Sequence, residues 1–153
     1  MKSRSAIDYR FFIEAWILIH IVKLIILILP FKKIAGLMGV ANCETAYVND
    51  SVAIAEHVEN AILRAARYSM HTSKCYDQAL AGKMMLRLRK LPSTIYFGLA
   101  KNDKSEMIAH AWLRLGSQIV AGKWGIKKFT VVASYGDFVS QTFSQSNKTP
   151  TSL

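Results

Sequence analysis

Cysteine is scarce. Cys43 and Cys75 are the only two in the chain, too few for the disulfide framework of a small secreted domain, and neither stands at zinc-finger spacing from His20, His57, His71 or His110. The expected compartment is therefore reducing. GxGxxG and Walker phosphate loops are absent, as is the HExxH metal motif, so neither cofactor nor metal is expected. Acids are also few, 10 Asp and Glu against 20 Lys and Arg, for a net charge of +10. That excess suits an anionic partner, but the basic residues are spread along the chain with no long block, which argues against nucleic acid. With 153 residues, 52% of them hydrophobic, the chain is long and apolar enough for one folded domain and for no second one.

The amino terminus is basic and is followed by an apolar stretch over residues 11–31. No small-residue cleavage site closes it; it ends at Leu29-Pro30-Phe31-Lys32-Lys33, which speaks against secretion and for a cytoplasmic protein. Its length approaches the ~20 residues of a membrane span. Glu14, His20 and Lys23 interrupt it at helical offsets, leaving a mostly apolar surface with a thin polar strip. Both a helix packed on the protein or lying at the inner face of a membrane, and a true span, fit that pattern.

Beyond Pro30 a short basic connection leads into a weakly helical segment ending at Gly39, and residues 41–49 read as loop. Asp50 or Ser51 can cap a helix running to about Tyr68, with Ala55, Val58, Ile62 and Ala66 on one face. His57 lies beside this stripe and reads as a surface or partly packed residue, with no role as a ligand. A further helix is expected from an N-cap at Ser73, with Tyr76, Leu80, Met84 and Leu88 recurring every four residues until Pro92, and with Lys83, Arg87 and Lys90 on a solvated face. From Ser93 the period becomes extended, with strands expected over 94–100, 108–115, 118–121 and 129–134. The fold class is thus α+β: an apolar N-terminal helix and basic connection over 1–40, a domain of helices followed by a small antiparallel sheet over 41–136, and a frayed Ser/Thr/Asn-rich tail over 137–153.

Two residues in this layout carry chemistry. An N-cap at Ser73 places Cys75 at the second helical position, where unpaired backbone N–H groups favour an anionic nucleophile and Lys74 adds positive charge. His110 stands mid-strand in Ile108-Ala109-His110-Ala111-Trp112, on the same face as Trp112. A helix-start Cys followed by a mid-strand His is the layout of papain-like and transglutaminase-like folds, in which the sheet presents a base to the helix.

Larger pieces resemble one family. Ala65-Ala66-Arg67-Tyr68, Ser73-Lys74-Cys75 with Gln78-Ala79-Leu80-Ala81, Pro92-Ser93-Thr94, Gly98, His110-Ala111-Trp112-Leu113-Arg114 and Ile119-Val120-Ala121-Gly122 follow one another as in the lasso peptide biosynthesis B2 proteins. These are transglutaminase-like cysteine proteases similar to the microcin J25 processing protein. The resemblance implies a cysteine peptidase that removes the leader from a ribosomally made precursor peptide, so that a separate ATP-dependent cyclase can close an isopeptide ring. It also implies a separate leader-binding partner protein, with Cys75 as nucleophile and His110 as general base. Two other readings are a non-catalytic membrane-anchored scaffold and an acyl transferase using the same Cys–His pair.

The chain departs from the family in one respect. Full triads have a carboxylate about a dozen residues after the His, whereas residues 111–136 contain no Asp, Glu or Asn. Gln118, Asp137 or a backbone carbonyl remain as orienters of the imidazole.

Overall fold

The computed structural model describes residues 5–46, 51–70 and 74–137. Helix α1 (Ala6–Ile28) opens with Ser5 as N-cap, its hydroxyl accepting from the Ile7 N–H while Asp8 at N3 accepts from the Ser5 N–H, a reciprocal cap. Pro30, which fixes φ and lacks an N–H, separates it from α2 (Phe31–Met38). Then come β1 (Val40–Ala41), α3 (Val52–Arg67), α4 (Cys75–Leu88), β2 (Thr94–Lys101), β3 (Met107–Leu115), β4 (Gln118–Ala121), a 3₁₀ turn over Ile126–Lys128, and β5 (Thr130–Gly136).

The five strands form one sheet in the order β1-β5-β2-β3-β4, with every neighbouring pair antiparallel. Helices α3 and α4 pack on one face of it, and α1 lies across both helices. The core runs between these layers: Ala15, Ile19 and Val22 from α1, Val58 and Ile62 from α3, Met85 and Leu86 from α4, and Ile95, Ala111 and Leu113 from the sheet are all buried. The fold is thus α+β, with helices first and an antiparallel sheet after, as the periodicity implies. On the sheet's other face the buried Arg114 donates to Tyr96 Oη at 2.9 Å, Gly116 O at 2.7 Å and Thr45 O at 2.8 Å. Its guanidinium satisfies three acceptors that burial would otherwise leave unpaired.

Several local expectations change. The chain at Val40 and Ala41 is a short strand paired with β5, its second residue taken from the stretch that reads as loop, because its backbone completes the sheet edge. Ser73 and Asp50 lie outside the described residues, and so does the tail after Asp137. The N-cap of α4 is Lys74, which makes Cys75 the first helical residue, not the second. The face of α4 that is buried carries Ala79, Gly82, Lys83 and Leu86, while Leu88, counted in the apolar stripe, is 69% exposed.

Lys83 is the clearest reversal. It does not sit on a solvated face; it is fully buried, and its ammonium donates to Ser93 O at 2.8 Å and Asp137 Oδ2 at 3.0 Å. Arg87 adds two contacts to Asp137 Oδ1, at 2.9 and 2.7 Å, and the Ser93 N–H a third donor at 3.0 Å. Asp137 is therefore the anchor of the carboxyl end of β5, not the first residue of a frayed tail. Burial alone would raise its pKa, but the Ser93 N–H and the Lys83 and Arg87 cations outweigh that and hold it below the ordinary 3.8.

Candidate active site

Cys75 begins α4, and the loose first turn of any helix supplies the polarity around it. Gln78 N–H is the first to bond back, to Lys74 O at 3.1 Å, so the N–H groups of Cys75, Tyr76 and Asp77 precede the intrahelical ladder. Asp77 at N3 is buried and accepts from the Lys74 N–H at 3.0 Å and from the Lys23 ammonium of α1 at 3.5 Å. These contacts fix the turn that presents Cys75, whose thiol is free and half-buried. Next to it, Tyr76 packs its ring on Phe97 with centroids 5.5 Å apart. Burial, aided by the Asp77 carboxylate, pushes the Tyr76 phenol up to about 12, so it stays neutral.

His110 lies in the middle of β3, opposite Gly98 of β2. Phe129 and Trp112 flank its ring, with centroids at 4.9 and 6.0 Å and planes inclined by 30° and 28°. Gly98 makes room for this: a Cβ there would stand 2.8 Å from both the Trp112 ring and Phe129 Cβ. His110 Nε2 is 2.8 Å from Gly122 O. A carbonyl can only accept, so Nε2 carries the proton and, in the neutral ring, Nδ1 carries the lone pair.

Gly122 supplies the backbone carbonyl that the sequence leaves open as an orienter without naming its residue. It lies 12 positions after His110, where the family pattern has a carboxylate, and it has φ +71. A Cβ on it would fall 2.2 Å from Ala111 O, so only glycine brings this carbonyl so close to β3. The signal available was a glycine at the orienter's interval with no acid near it. The other two candidates are elsewhere. Asp137 follows Gly136, which pairs with Thr94, and Thr94 is four residues along β2 from Gly98, about 13 Å away by strand rise. Gln118 pairs with Leu115, five residues along β3 from His110.

Cys75 and His110 belong to elements packed together, since α4 lies on β2 and β3. Leu113 is the β3 residue turned toward α4: a Cβ built on Gly82 would meet its Cδ2 at 2.9 Å. Three positions away, His110 projects to the opposite face, with Trp112 as expected. No hydrogen bond joins its ring to Cys75 Sγ. Among the described residues no group of three or more His, Cys, Asp and Glu is arranged to hold a metal.

Comparison with known proteins places the fold. A family model described as the transglutaminase-like superfamily matches residues 26–134, a span that runs from the end of α1 into β5 and includes both Cys75 and His110. Neither a curated protein nor a solved structure matches the chain.

Proposed function

The chain belongs to the transglutaminase-like superfamily, which includes cysteine peptidases and whose members are typically catalytic cysteine enzymes, and we propose that it is a cysteine peptidase that removes the leader of a ribosomally made lasso peptide precursor. Cys75 Sγ attacks the carbonyl carbon at the junction of leader and core. His110 Nδ1 takes the thiol proton and delivers it to the leaving amine, which becomes the new N-terminus of the core peptide. The leader remains as a thioester on Sγ until water, deprotonated by the same imidazole, releases it. Backbone N–H groups of the first turn of α4 face the developing oxyanion.

What carries the reading is the His110–Gly122 bond. It puts the proton on Nε2 and leaves Nδ1 with its lone pair, the state a general base needs, with a carbonyl in the role a carboxylate has in full triads. A carbonyl orients the ring but brings no negative charge, so it stabilises an imidazolium less than a carboxylate does. The reading also requires Sγ and Nδ1 to meet when substrate binds, and because His110 lies on the sheet face away from α4 this takes a rearrangement of the first turn of α4 or of the His110 side chain, not the shortening of an existing contact. A free N-terminal amine is the group an ATP-dependent cyclase would consume. So small a domain leaves leader reading to a separate partner protein. The cytoplasm, where precursor, cyclase and ATP coexist, is the fitting location.

Two measurements test this. Iodoacetamide at neutral pH is expected to alkylate Cys75 much faster than Cys43, read by peptide mass spectrometry; comparable rates would point to a scaffold. Incubation of a precursor peptide with the protein and its leader-binding partner should give free core peptide. An amine-capped leader in place of free acid, formed when amines are added, would identify an acyl transferase.

A further inference from the structure

Along α1 both charges within the apolar stretch are paired with other parts of the protein, Lys23 while still 40% exposed. Glu14 is held by Arg89, the C-cap of α4, through two contacts of 2.6 and 2.7 Å, and Lys23 reaches Asp77. The outward side is wholly aliphatic: Ile13, Ile17, Ile21, Leu24, Leu27 and Ile28 are all exposed. Five of them recur at steps of four, four, three and four, one continuous stripe about 22 Å long. Solitary exposed apolar residues need no explanation, but a stripe of this length does.

Charge decides what covers it. The stripe is followed at once by exposed Phe31, Lys32 and Lys33, and preceded by exposed Arg10. The nearby acids are occupied, Asp8 by His57 at 3.0 Å and Glu14 by Arg89. An aliphatic face with free cations at both ends and no free carboxylate between them matches lipid tails bordered by anionic headgroups. The helix cannot cross the bilayer without dismantling the core, because Ala15, Ile19 and Val22 are fully buried against the α3–α4 layer. It is also long enough to span, at 23 residues, so length alone does not decide between spanning and lying flat; packing does. A groove of about 300 Å³ between α1, α2 and α4, walled by Leu18, Ile25, Leu37 and Leu88, lies one helical step from the stripe and offers room for an acyl chain.

We propose that the protein is monotopic: α1 lies in the plane of an anionic membrane surface, its Ile13-to-Ile28 face in the lipid and Arg10, Lys32 and Lys33 at the headgroups. The proposal is independent of the peptidase reading, since most of α1 precedes the segment matched by the family.

Co-sedimentation of the full chain with vesicles tests it. Vesicles containing phosphatidylglycerol should pull the protein down, pure phosphatidylcholine vesicles should do so far less, and high salt should weaken the difference. Ile17→Glu/Ile21→Glu should abolish binding with an unchanged thermal midpoint, because both side chains point away from the core. Lys32→Glu/Lys33→Glu, which leaves the stripe intact, should lower binding to anionic vesicles by roughly tenfold or more. No preference for anionic vesicles would overturn the proposal. So would a discrete dimer in solution that Ile21→Glu separates, which would assign the stripe to a second copy. Resistance of membrane-bound protein to alkaline wash would overturn the in-plane geometry in favour of a span.

Discussion

At its start α4 carries Cys75, half-buried and without a hydrogen bond through its sulfur among the described residues; toward its end Lys83, Arg87 and Arg89 each reach an acid from a distant part of the chain. Lys83 and Arg87 hold Asp137 after β5, and Arg89 holds Glu14 of α1. These pairs join three layers at one point of the helix: α1, α4 and the sheet. Breaking the buried Lys83 pair leaves an uncompensated charge, whereas a small half-buried thiol costs the fold little to lose. One helix therefore separates chemistry from stability by position, the reactive group where its backbone is least committed and the anchoring groups in its second half, Lys83 enclosed and Arg87 and Arg89 partly exposed.

The comparison breaks if substitutions at the two ends have the same kind of effect. The largest expected change is from Cys75→Ala: a loss of cleavage by at least about a thousandfold, the scale for losing a nucleophile, with a thermal midpoint like that of the parent. A variant that still cleaves would show that the first turn of α4 is not the reactive end. His110→Ala should follow, lowering cleavage of the precursor by about a hundredfold or more, the usual contribution of a positioned base. Mass-spectrometric time courses on equal amounts of folded protein separate that loss from misfolding.

Asp137→Ala belongs to the other class. It should lower unfolding free energy by roughly 3 kcal/mol, since the Lys83 ammonium is left buried without its counter-charge, while cleavage per folded molecule stays within about threefold. Urea unfolding and single-time-point cleavage on one preparation would show this; the reverse pattern would make Asp137 an orienter of the site.

The same end of α4 has a pH signature. Burial, only partly offset by Asp137, lowers Lys83 from 10.5 to about 8. Between those two values the unfolded chain binds more protons than the folded one, so this group's contribution to stability rises with pH from about 8 to 10.5. Below pH 8 its burial penalty is fully present. Relative to Lys83→Met, the native protein should gain in urea midpoint as pH climbs through that window, and a flat difference would mean that Lys83 is not buried as a charge. The smallest effect is expected at Gln118→Ala, within about twofold in cleavage and close to parental in stability, because Gln118 lies far along the sheet from His110.

Much of the architecture is legible in residue order. The stripe Ala55, Val58 and Ile62 is buried as its spacing implies, and β4 begins and ends where its composition changes. Periodicity works there because each element buries one face. It fails on α4, which is nearly surrounded. When a helix has α1 on one side and a sheet on the other, a four-residue apolar repeat no longer marks the inside, and Lys83 falls inward while Leu88 falls outward. Cys75 and His110 stand out by residue type and setting. The Gly122 carbonyl does not, because every residue has one and only packing decides which carbonyl an imidazole meets.

The sequence by itself determines the order of helices and strands, the thiol at a helix start, the imidazole mid-strand and the absence of an acid after it, since these depend on local pattern and composition. The tertiary structure alone decides how the polar groups are paired: that Glu14 and Lys23 are held by Arg89 and Asp77 to the side of an aliphatic face of α1, that Asp137 is an anchor, and that a glycine backbone takes the orienter's position. The reason is one of range. Periodicity reports a residue's neighbours within a turn or a strand, while the cost of burying a charge and the gain from pairing it depend on groups 50 or more positions away, such as Asp137 from Lys83 and Arg89 from Glu14.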